Sequence, residues 1–130
     1  ETKFVEFYID YAKTILTYDF VRILVFSGLS DKIFSDRFFK LLQTKILPLL
    51  IFETRKYCKV PVQQDTSEKE MELLLGLHGG IFYLGVRRWI YGASFQLETN
   101  QMSDEEIIQD RIASYLLSAQ HLFKKEKKHE

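Results

Sequence analysis

Cysteine is nearly missing from this 130-residue chain: Cys58 is the only one, so no internal disulfide can brace the fold. Neither a secretory leader nor an apolar run of about 20 residues is present, which predicts a reducing, cytoplasmic setting and no membrane contact. There is no excess charge of either sign. The 18 basic and 18 acidic side chains cancel, which excludes a nucleic-acid-binding surface spread over the whole chain. His78, His121 and His129 have no metal-ligand spacing with one another or with Cys58. Gly79 and Gly80 do not follow a predicted strand and so make no dinucleotide loop. Nothing local activates Cys58 as a nucleophile. We therefore expect no enzyme, no metal and no cofactor.

What the chain holds in quantity is apolar surface, 46% hydrophobic residues with 11 phenylalanines and 7 tyrosines. A domain of this length buries roughly two thirds of its unfolded surface, and residues 1–130 read as one domain with a core of its own. The densest stretch is 67–93, SEKEMELLLGLHGGIFYLGVRRWIYGA. At about 100° per residue, Leu74, His78, Phe82, Gly85 and Trp89 share one face. Leu73, Leu77, Gly80, Leu84 and Tyr91 share another. A helix apolar on so many sides needs neighbours on more than one of them. Glycines at 76, 79, 80 and 85 each cost about 1 kcal/mol relative to alanine in a helix, which predicts close approach by another helix. His78 is expected to be a hydrogen-bonded histidine on a packed face, and Arg87 and Arg88 each to pair with an acidic residue of the last helix, such as Asp110 or Glu106.

The remaining periodicity is also helical. Phe4, Phe7, Tyr8, Tyr11, Ala12 and Ile15 mark a first helix over about 3–16. Residues 18–27, YDFVRILVFS, suit a short buried helix stopped at Gly28 in a left-handed conformation, with a strand as the competing reading. A third helix is expected from an N-cap at Ser30, with Leu29 and Phe34 as its staple, to about Cys58. Pro48 inside it removes a backbone donor and predicts a kink or break near Thr44–Leu47. After a polar loop at 59–66, Ser67 and Glu70 form a capping box for the long helix, and Ser103 and Glu106 form another for a last helix reaching about Phe123. The charged tail beyond it is expected to fray. The chain opens at Glu1 without methionine and already in helical phase, so we expect it to be a piece of something longer.

Taken in order, the proline-interrupted FFKLLQTKILPLL, the polar loop, the glycine-rich helix closing on GVRRWIYGA and the capped MSDEEIIQDRIASYLL resemble the C-terminal domain of the TetR family of bacterial transcription regulators. The resemblance spans about residues 4–123. It implies an all-α domain of about five helices whose last two long helices form a four-helix-bundle dimer interface, with an effector pocket among the earlier helices. It also implies an upstream helix-turn-helix domain, through which alone DNA would be bound. The segment GASFQLETNQM, Gly92 to Met102, is longer than the turn usual at that point and has room to form an arm or lid. The function implied is effector sensing and dimerisation in a repressor; a helical protein-interaction scaffold without a small-molecule site is the alternative. For a hydrophobic or aromatic effector the expected contacts are Tyr8, Tyr11, Phe26, Phe38, Tyr57 and Tyr83. For the homodimer they are Leu77, Ile81, Leu84, Gly85, Arg88, Ile108, Ile112 and Tyr115.

Overall fold

The structure, a computed structural model, describes residues 2–62, 65–92 and 102–127. All regular structure among them is helical: α1 Thr2–Ile15, α2 Tyr18–Leu29, α3 Ile33–Leu41, a π-helical turn Leu42–Ile46, α4 Leu47–Cys58, α5 Glu68–Trp89 and α6 Asp104–Lys127. Because α3, the π turn and α4 run on without a gap, the chain makes five helical bodies, with no strand at 18–27. The expected arm at 92–102 falls almost wholly outside the described residues, as does the end of the charged tail, while α6 itself continues past Phe123 to Lys127.

α1 buries Phe4, Tyr8, Ala12 and Ile15 at three- and four-residue steps, the single stripe its sequence predicts. Thr17 then caps α2 by accepting from the Phe20 amide at 3.3 Å. The α2–α3 corner differs from expectation. Gly28 lies inside α2 and the left-handed residue is Lys32, with φ 66°. Ser30 closes α2 rather than opening α3: its hydroxyl donates to the Phe26 carbonyl at 2.8 Å. Asp31 does the opening instead, accepting from the Ile33 amide at 2.9 Å. Ser27 joins the two helices from beneath, its buried hydroxyl accepting from the Ser35 amide at 3.0 Å.

Pro48 has its predicted effect one turn upstream. Having no N–H to give the Thr44 carbonyl, it leaves a helix that widens into the π turn, where the Leu47 amide reaches back to the Leu42 carbonyl. α4 ends on Lys59 in a left-handed conformation, φ 58°. Just before that end, Arg55 makes a two-toothed contact with Glu70 in the first turn of α5. Its Nε and Nη2 donate to Glu70 Oε1 and Oε2, both at 2.8 Å, with both side chains buried. Arg55 also donates to the Pro61 and Asp65 carbonyls, and Glu70 Oε2 accepts from the Ser67 amide at 2.8 Å. One carboxylate thus completes both the ion pair and the α5 capping box.

α5 and α6 pack along their length through Leu74, Leu77, Ile81 and Leu84 against Ile108, Ile112 and Leu116. The Ser103 box opens α6, with the Glu106 amide donating to Ser103 Oγ at 3.2 Å. Arg88 pairs with Asp104, at 2.7 and 3.0 Å, an acidic residue of the last helix as expected, because the last turn of α5 lies beside the first turn of α6. Trp89 donates from Nε1 to the Leu16 carbonyl at 2.7 Å, fixing the α1–α2 corner to the end of α5. Tyr115 and Thr54 share a buried hydrogen bond of 2.9 Å between α6 and α4; as Thr54 already donates to the Leu50 carbonyl, Tyr115 is the donor. Burial pushes the Tyr115 phenol up to about 12.

Two predictions follow from this framework. A Cβ at Gly85 would sit 2.7 Å from Val21 Cγ2 and 3.2 Å from Leu16 Cδ2, whereas one at Gly28 meets nothing within 4 Å. Gly85→Leu is therefore expected to cost about 1–3 kcal/mol by overpacking, and Gly28→Ala to stabilise by about 0.5–1 kcal/mol, the usual gain where a helical glycine has open space beside it. A destabilised Gly28→Ala in urea melts would restore the left-handed stop. The second concerns Glu70, whose carboxyl burial alone would raise; the Arg55 and Ser67 hydrogen bonds outweigh burial and hold it below the ordinary carboxylate range. A depressed carboxylate stabilises the fold above its unfolded pKa of about 4.3, and the contribution disappears as pH falls through the folded value. Glu70→Gln strands a buried guanidinium, so it should cost about 3–5 kcal/mol near pH 7 and much less near pH 3. An equal loss at both would contradict this account.

Candidate functional site

Among the described residues an apolar cavity of about 440 Å³ lies on the flank formed by α2, the α3–α4 run and α5. Its position follows from the π turn, which supplies Leu42 and Gln43 to the wall with Leu47 just beyond. α3 adds Phe38 and Phe39, and α2 adds Leu24. From α5 come Met71, Leu75, His78, Gly79 and Phe82, spaced so that they fall on one side of a helix. Leu24, Leu42, Leu47 and His78 are buried and make the floor; Phe39, Gln43, Leu75 and Gly79 are exposed and make the mouth. No lysine, arginine, aspartate or glutamate lines it.

His78 is the polar group on that floor. It is 8% exposed, and burial lowers its pKa from the usual imidazole value, which keeps it neutral at pH 7. Contrary to expectation it is not fully hydrogen-bonded, since its Nδ1 is enclosed and has no partner within the protein. Its ring lies 5.8 Å from that of Tyr11 and 6.5 Å from that of Tyr8, centroid to centroid. The hydroxyls of both tyrosines are likewise enclosed and unpartnered. Burial drives both phenols far above their ordinary pKa, so they too stay uncharged.

Of the six expected effector contacts, only Phe38 lines this cavity. Tyr8 belongs to the central core, against Phe4, and Tyr11 stacks on Phe7 beside it. Phe26 is 72% exposed and sits on a second, shallower groove with Ile23, Ile33 and Phe34. Tyr57 and Tyr83, at 36% and 41% exposure, face away from the cavity. The signal in the sequence for this cavity is Met71, Leu75, His78 and Phe82, an apolar stripe of α5 carrying one neutral polar residue.

Two of the expected dimer contacts, Leu77 and Tyr115, line the groove that α5 and α6 turn outward. Leu77, Ile81, Leu84, Gly85, Ile108, Ile112 and Tyr115 are buried beneath the chain's own helices, and Arg88 is occupied with Asp104. They are core because α1 and α4 cover the stripes that the sequence leaves unassigned. What α5 and α6 turn outward is a shallow groove bordered by Gly76, Gly80, Ser114 and Ser118, with Glu72, Asp110 and Arg111 alongside. Leu117, 68% exposed, stands on the same helix.

Elsewhere there is little chemistry. Cys58 is half-buried and burial pushes its thiol up, which disfavours the thiolate. Among the described residues no three His, Cys, Asp or Glu side chains gather as a metal site, and no helix is long and apolar enough to cross a membrane. No protein-family model, curated protein or solved structure matches the chain.

Proposed function

We propose that this chain is the effector-binding and dimerisation domain of a TetR-like transcription regulator, acting as a repressor. The observation that carries the reading is the apolar cavity beside the π turn, whose volume and lining fit a small hydrophobic molecule. Under this reading the effector enters between Phe39, Leu75 and Gly79 and rests on Leu42, Leu47 and His78. A second copy pairs through the outer face of α5 and α6, where glycine and serine allow close approach. DNA is read by a helix-turn-helix domain upstream, and the effector acts by binding one spacing of the two reading heads better than the other.

The scaffold reading is kept alive by a specific feature, the exposed ridge of Ile23, Phe26, Leu29 and Ile33 on α2 and α3. A protein partner seated there would need no cavity at all.

Gly79 separates the two. It lines the cavity, and a Cβ there meets nothing within 4 Å, so Gly79→Leu fills the space without disturbing the helix. A hydrophobic compound that raises the melting temperature of the wild type by mass action should leave Gly79→Leu unmoved, while that variant melts at or above the wild-type temperature. Equal shifts in both proteins would move binding away from this cavity. Sedimentation at tens of micromolar should give a dimer, and Ser118→Lys, placing a charge in the α5–α6 groove, should give a monomer; a monomeric wild type would remove the dimer from the proposal.

A further inference from the structure

We propose that the cavity selects an uncharged aromatic molecule bearing one hydroxyl or carbonyl, which exchanges a hydrogen bond with the His78 imidazole. This rests on the cavity being a ligand site and says what kind of ligand it takes.

Charge is the first discriminator. With no ionised side chain on the wall, a carboxylate or ammonium entering the floor would lose its hydration and find no counter-ion, which is far costlier than burying a neutral group. Shape is the second. Phe38, Phe39 and Phe82 present three rings from two helices, and aromatic faces and edges pack best on a flat aromatic guest. The third is the floor itself. His78 sits there among leucines, nine-tenths buried, with Nδ1 unpartnered and with the rings of Tyr8 and Tyr11, whose hydroxyls are also unpartnered, at 6.5 and 5.8 Å from its own. Buried polar atoms are normally satisfied, so such a cluster asks for a partner. A neutral imidazole offers one donor and one acceptor, which a hydroxyl or carbonyl can meet and an alkane cannot. Every polar group in the cluster is electrically neutral, so the recognised group is neutral too.

Four probes of one shape test this on the whole chain: 2-naphthol, naphthalene, 2-naphthoate and 2-naphthylmethylammonium, their Kd values measured by titration at pH 7. The expected order places 2-naphthol about threefold to tenfold tighter than naphthalene, the range of one net hydrogen bond, with both ions more than about tenfold weaker than 2-naphthol. His78→Leu should erase the difference between 2-naphthol and naphthalene, and His78→Gln, which keeps a donor and an acceptor, should retain it. His78→Phe serves in place of the leucine variant if that protein does not fold. Ions binding as tightly as 2-naphthol, or a preference for 2-naphthol that survives His78→Leu, would overturn the inference while leaving the cavity a ligand site. Binding of no probe, or binding unchanged in Gly79→Leu, would instead overturn the ligand site itself and this inference with it.

Discussion

The Arg55–Glu70 ion pair sets the relation between the two halves of the molecule. Two charges at hydrogen-bond distance in a buried setting cannot be separated without stranding one of them, so the last turn of α4 and the first turn of α5 are held in a single arrangement. Glu70 is also the third residue of α5 and closes its capping box, which means that the pair fixes where α5 starts as well as where it lies. Counting onward from there, Leu74, Leu77, Ile81 and Leu84 must face the core, and Met71, Leu75, His78 and Phe82 must face the flank where α3 passes. The position of the cavity wall is therefore a consequence of one carboxylate.

The opposite wall depends on a different constraint. Pro48 denies the Thr44 carbonyl its usual donor, and the chain answers with a π turn rather than a break, which keeps α3 and α4 in one line. That wider turn places Leu42 on the floor and Gln43 at the mouth. Single π turns of this kind occur often at functional sites, and here the turn and the cavity share residues. Gly85 works the other way, drawing α5 onto the α1–α2 corner until Val21 and Leu16 fill the space a side chain would take. One contact closes the core and the other leaves an opening beside it.

Much of this was legible in the sequence, but unevenly. Both capping boxes, the all-helical class, the five helical bodies and the disturbance ahead of Pro48 follow from local spacing, and local spacing is what a cap or a proline obeys. The α2–α3 corner was misread because Ser30 and Gly28 have the composition of a cap and a stop, while Asp31 and Lys32 took those roles through hydrogen bonds that spacing does not predict. The pairing of Arg88 with an acid of the last helix follows from the sequence, and that the acid is Asp104 depends on how the two helices lie. The placement of the expected site residues depends on more than spacing. Which apolar stripe of α5 meets α1 and α4, and which borders a cavity, depends on how whole helices are arranged. Ile112, expected at a dimer face, is fully enclosed in the core, while Leu77 is buried at the base of the α5–α6 groove.

The central claim is that the space between α3, the π turn and α5 receives a small hydrophobic molecule. Methyl-resolved NMR during titration with 2-naphthol tests it most directly, because the cavity and its rivals carry distinct methyl groups. The account predicts shifts concentrated at Leu24, Leu42, Leu47, Met71 and Leu75, with Leu117 on the outer face of α6 unmoved. Shifts confined to Ile23 and Ile33 on the α2–α3 ridge, or none at any methyl, would contradict it.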